Sequence, residues 1–204
     1  MTTDTLDAAG PAPLRPAKIV ARIFGATFVV IAILWAFQVP GMLGLALYNE
    51  QFLAVCLGLA GSAVYLTTGA NREPQVRTPF YDWIAAIVFF AMSLYVAWNY
   101  SRFLLDAPYD TDEMFVLGLL TVFLVMEGMR RVAGTFLFVV VVLFIVYGLL
   151  AHHVPAPLTG AETGYRQLAN YLAFDTNALL GTPLVVATTI VVLFIFLGQT
   201  LFVS

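Results

Sequence analysis

One carboxylate, Glu127, lies against an apolar run, and two arginines follow it in Met126-Glu127-Gly128-Met129-Arg130-Arg131. In a helix Arg130 and Arg131 come three and four residues later, within reach of that carboxylate. An acid inside a membrane segment could relay an ion or a proton, because leaving it unpaired there is expensive. The adjacent arginines favour a structural anchor over a relay. His152 and His153 suggest a metal. Neighbouring residues of a helix do not share a face, however, and no Cys or His stands at ligand spacing, so the pair reads as interfacial loop. Asp106, Asp110, Asp112 and Glu113 could attract cations, but they lack the glycine and ligand periodicity of a calcium loop and read as a solvated outer loop. No phosphate-binding Gly-Lys-Ser/Thr loop, Gly-x-Ser-x-Gly elbow or His-Glu-x-x-His pair is present, which argues against an enzyme.

The elements that position these residues are apolar stretches: Ile23 to Gly41, Gln51 to Asn71, Trp83 to Ser101, Met114 to Met126, Gly134 to Ala151 and Pro183 to Val203. All but the fourth reach the roughly 18 residues needed to span a bilayer. The expected fold is an all-α integral membrane bundle of about six transmembrane helices with an outer amphipathic segment. Composition agrees, since 61% of the 204 residues are hydrophobic, 10% are charged and mean hydropathy is +0.93. Such a chain has no room for a large water-soluble domain. A net charge of −3 leaves no basic stripe for nucleic acid.

Positive charge near span ends resists crossing to the outer face. Of nine Lys and Arg, Arg15, Lys18, Arg22, Arg72, Arg77, Arg130 and Arg131 fall on one side, and Arg102 and Arg166 on the other. The second side carries Glu50, the acidic loop, Glu162 and Asp175. Both termini are therefore expected in the cytoplasm. The first apolar run is longer than a signal-peptide core, and no small-x-small site follows it, so it reads as a retained span. Residues 1–18 read as a mobile cytoplasmic tail. The single cysteine, Cys56, excludes an internal disulfide.

Ala54, Gly58 and Ser62 recur every four residues in the second span, a small-residue stripe on which another helix can pack. Tyr81 and Trp83 open the third span while Trp98 and Tyr100 close it, the positions of aromatic belts. Tyr165, Leu168, Ala169 and Leu172 have the spacing of a short helix on the membrane surface. Phe174 to Pro183 reads as a turn into the last span, with Pro183 where a helix start tolerates proline. No repeat divides the spans into inverted halves.

Four ordered features resemble the fused permeases of tripartite ATP-independent periplasmic (TRAP) transporters, especially the TAXI-type branch. They are Tyr81-Asp82-Trp83 opening a span, Glu127 to Arg131 ending the next, Gly164-Tyr165 before an amphipathic stretch, and Gly181-Thr182-Pro183-Leu184 before Phe194-Ile195-Phe196-Leu197-Gly198. Together they cover Tyr81 to Gly198. The resemblance implies a bacterial inner-membrane importer of organic anions. It would work with a periplasmic substrate-binding protein and a sodium gradient, with no cofactor beyond sodium as coupling ion. It implies a five-span small-subunit-like domain over 19–151, an extracytoplasmic connecting segment over 152–182, and over 183–204 the first span of a truncated large permease domain. The remainder of that domain would be a partner, as would the lipid bilayer. Asp82, Trp83, Glu127, Arg130, Arg131, Gly164, Tyr165, Gly181 and Pro183 carry the resemblance with an expected structural role, and no position matches the family's sodium or substrate motifs. The chain is thus expected to be a scaffold portion that does not transport alone. The alternative is a non-transporting membrane assembly or anchoring protein.

Overall fold

Apolar runs bounded by prolines and charges become long helices in the computed structural model, which describes residues 16–70, 78–106, 109, 111–155 and 160–203. Helix α1 (Pro16–Ala36) is followed by a short α2 (Val39–Met42), then α3 (Asn49–Thr67), α4 (Phe80–Asp106), α5 (Asp112–Val132) and α6 (Thr135–Leu150). The amphipathic α7 (Tyr165–Phe174) precedes a last continuous helix, which starts as α8 (Thr182–Val185), widens to π-helical geometry over Val186–Val191 and ends as α9 (Val192–Val203). Five stretches are long and apolar enough to cross a membrane: Pro16–Ala36, Asn49–Thr67, Phe80–Asp106, Thr135–His153 and Thr182–Phe202. The protein is an all-α, multi-pass membrane protein. Helix α5 has 21 residues, but its ends carry Asp112, Glu113, Arg130 and Arg131. Its uncharged centre is correspondingly short.

Local sequence explains where the helices stop. Expected as a span from Ile23 to Gly41, the first helix instead starts at Pro16 and ends at Ala36. Gln38 turns the chain there with a left-handed φ of 57°, and Pro40 sits in the first turn of α2, where a missing N–H is tolerated. Residues 1–15 of the expected tail lie outside the described residues, whereas Pro16 to Lys18 already belong to α1. Gln51 closes the start of α3 by accepting from the Tyr48 N–H at 2.9 Å, and its amide donates to the Ala97 carbonyl of α4 at 2.8 Å. Gly134, at φ 102°, makes the tight turn between α5 and α6 that a side chain would oppose.

Helix α3 occupies the centre of the bundle, between α1 and α4. Its stripe of Ala54, Gly58 and Ser62 is buried. A Cβ on Gly58 would stand 2.6 Å from that of Ser93, and the Ser62 hydroxyl donates to the Ala86 carbonyl at 2.9 Å. Closer still is Gly61, outside the stripe, where a Cβ would fall 1.7 Å from the Phe89 ring. One end of the core gathers Ala17 and Ala21 of α1, Tyr65 and Leu66 of α3, Ala86 of α4 and Leu124 of α5. The opposite end gathers Phe52, Tyr100, Phe103, Met114 and Phe174. The start of α1, the end of α3, the start of α4 and the end of α5 thus share one end, as alternate crossings require.

Tyr100 departs from its expected place in an aromatic belt. It is buried in the second of these clusters, whereas Trp98, two residues earlier, is 83% exposed. On helix α7, Ala169 of the expected stripe is buried together with Asn170, Ala173 and Phe174, while Tyr165 is exposed. The small face lies on α5 at Gly118, where an added Cβ would come within 3.1 Å of the Ala169 carbonyl oxygen.

Candidate functional site

The end of the bundle that holds Glu127 is built from four separate pieces of chain. Helix α4 opens with Asp82 fully buried, and Arg131 reaches it from the last turn of α5, with Nη1 2.7 Å from Oδ1. Arg131 Nε also meets Glu127 Oε1 at 2.9 Å, one helical turn back. Arg130 grips the same carboxylate with two parallel bonds, Nε to Oε2 and Nη2 to Oε1, both 2.7 Å. This paired geometry is the strongest an arginine and a carboxylate adopt. The arginines then reach the backbone just beyond α3: Arg131 donates to the Thr68 carbonyl and Arg130 to that of Ala70, each at 3.3 Å. Tyr65 completes the enclosure. Its ring lies 4.7 Å from the Arg131 guanidinium carbon, and its hydroxyl donates to the Leu124 carbonyl at 2.7 Å.

Two acids and two arginines make this cluster formally neutral, so burying it adds no net charge to the apolar interior. Both Glu127 oxygens are engaged by arginine. The arrangement holds three helices in register. Asp82 is enclosed, while Glu127 stays a quarter exposed with both oxygens held by arginine.

A second set of ion pairs closes the opposite end. Arg102 of α4 meets Glu113 of α5 at 2.5 Å, and the Tyr95 hydroxyl donates to the same carboxylate oxygen. Arg166 of α7 meets Asp112 at 2.5 Å and lies over the Phe115 ring of α5. Asp112 and Glu113 are therefore partners in helix-to-helix links at the start of α5, which corrects the reading of the acidic run as only a solvated loop. The Tyr95 hydrogen bond, together with Arg102, holds the Glu113 carboxyl below its usual range against the opposing effect of desolvation. Asp110 lies outside the described residues.

The remaining motif residues are dispersed. Trp83 is half-buried beside the Tyr65 cluster. Gly164 has open space around its Cα, and Tyr165 is 65% exposed at the start of α7 with its ring against Phe115. Gly181 is needed for space, since a Cβ there would fall 2.3 Å from the Thr176 carbonyl oxygen; Pro183 follows in the first turn of the last helix. His152 and His153 occupy a single 3-10 turn with ring centroids 3.8 Å apart. No family model, characterised protein or solved structure matches this chain.

The link between Asp82 and Arg131 has no local signature, because 49 residues separate the partners. A single signal was available: each is a charge at the edge of an apolar run, and alternate crossings bring those two edges to the same end.

Proposed function

We propose that this chain is the scaffold portion of a TRAP-type secondary transporter of the bacterial inner membrane, with both termini cytoplasmic. In this reading it braces a larger permease domain that imports organic anions, supplied by a periplasmic binding protein and driven by a sodium gradient. On its own it does not transport. The observation that supports the reading is the neutral cluster of Asp82, Glu127, Arg130 and Arg131, which draws two of the four resembling motifs into one interhelical fastening. Charges arranged in this way serve rigidity. A brace needs rigidity, whereas an ion path needs groups that can exchange partners.

The proposed orientation rests on the placement of positive charge. Lys18, Arg22, Arg130 and Arg131 lie towards one end, while Arg102 and Arg166 lie towards the other and are matched there by Glu113 and Asp112. Lys and Arg are more numerous at the first end, which supports placing that end in the cytoplasm. Purification of the tagged full chain from its native membrane tests the assignment of partners. A large multi-span permease polypeptide and a periplasmic binding protein should accompany it. Recovery of the chain without either would favour the membrane assembly or anchoring role.

A further inference from the structure

A groove of about 520 Å³ lies between α1 and α4 with α3 as its floor, towards the end of the bundle away from the Asp82 cluster. Its rims are Leu34 of α1, Leu94 and Trp98 of α4, and Leu47 of the connector before α3. The three leucines are close to half-exposed and Trp98 strongly so, which leaves these side chains free to meet an occupant. Trp35 is only partly exposed and stacks on the buried Phe52 ring with centroids 4.6 Å apart. Among the described residues no charge lines the groove. Its one amide, Gln51, already bonds the Tyr48 N–H and the Ala97 carbonyl, so the lining asks for an apolar occupant.

The connector over residues 37–48 shows what surrounds the groove. No charge occurs from Ile23 to Asn49, and Phe37, Met42 and Leu43 are strongly exposed. Contiguous exposed apolar surface marks contact with a partner or a membrane. The backbone decides for the membrane. The N–H groups of Met42, Leu43, Gly44 and Leu45 donate to the carbonyls of Gln38, Val39, Gly41 and Pro40 at 2.9 to 3.1 Å. Such internal pairing is what hydrocarbon demands of a chain, because no water is there to take the donors.

We propose that this groove seats one acyl chain of a phospholipid from the leaflet at that end, held between Leu34 and Leu94 and against Trp35. Its volume is that of an ordinary ligand pocket, about 300–1,000 Å³. With no charge in the lining to fix a headgroup, the chain is the part recognised. The site stands apart from the transport reading and does not depend on it.

Trp35 is the reporter. The chain has three tryptophans, so Trp83→Phe with Trp98→Phe leaves it alone. The full chain is placed in nanodiscs of a phosphatidylglycerol brominated at mid-chain, or of the same lipid without bromine. Bromine quenches a ring that it touches, and Trp35 emission should fall in the brominated discs. Leu34→Phe with Leu94→Phe narrows the groove from both walls at half-exposed positions. It should restore most of that emission with the circular dichroism and thermal midpoint of the parent chain retained. Trp98, followed alone in Trp35→Phe with Trp83→Phe, should stay quenched whether or not the groove is narrowed, because it also faces lipid outside it. Quenching of Trp35 that the narrowed groove leaves unchanged would overturn the proposal, reducing the contact to bulk lipid. Unquenched Trp35 in the parent groove would also overturn it, and cross-linked dimers in the same discs would then assign the groove to a second copy of the chain.

Discussion

Arg131 Nη1 and Asp82 Oδ1 stand 2.7 Å apart in a fully enclosed ion pair that joins the end of α5 to the start of α4. Desolvation makes such a pair a weak contributor relative to an apolar replacement, but removing one member leaves a buried charge uncompensated. Asp82→Ala and Arg131→Met should each lower stability by about 3–5 kcal/mol. The double variant should recover part of that loss. Reversible unfolding in mixed micelles measures all three, and additive losses in the double variant would show that the two side chains act independently.

Helix proximity gives a sharper contrast. A Cβ on Gly61 would enter the Phe89 ring, while one on Gly25 of α1 meets nothing within 4 Å. Gly61→Ala should cost about 1–3 kcal/mol from overpacking, relieved when Phe89→Leu is added. Gly25→Ala should be neutral or stabilising by up to about 1 kcal/mol, the difference in helix preference. Thermal midpoints of the purified variants test this ranking.

The helical runs were legible because roughly 20 uncharged residues have few alternatives to a span. Glu127 with Arg130 and Arg131 was legible as well, since three- and four-residue spacing places partners on one helical face. Of the contacts between helices, the stripe of Ala54, Gly58 and Ser62 was legible and packs on α4, but others were not. The Asp82 partner lies 49 residues away, and the closest approach on α3 occurs at Gly61, beside the stripe of Ala54, Gly58 and Ser62. For α7, spacing picked out Tyr165, Leu168, Ala169 and Leu172. Packing selected Ala169 and Ala173 because small residues allow the helix to lie against Gly118.

Acid should loosen the far end of the bundle in a defined window. Glu113 has a folded pKa below its ordinary value, first through the Tyr95 hydrogen bond and then through Arg102. The stabilisation is therefore present above the unfolded value of about 4.3 and is lost as pH falls through the lower folded value. Glu113→Gln should remove that part of the acid dependence and leave the neutral-pH fold intact. Tryptophan fluorescence followed from about pH 6 downward measures the change, and parallel acid transitions in the parent and the variant would refute the assignment.

Membrane orientation yields to reporter fusions. On the proposed orientation, alkaline phosphatase inserted within residues 71–77 should be inactive. Insertions within residues 156–163 should be active. The reverse pattern would invert the bundle.

The most direct test of the scaffold account is uptake by sodium-free proteoliposomes placed in sodium-containing or sodium-free buffer, using labelled dicarboxylates, sialic acid and amino acids with their binding proteins. The chain alone should support no sodium-dependent uptake of any of them, and uptake should begin when the companion permease domain is reconstituted beside it. Sodium-driven import by the chain alone would contradict the account.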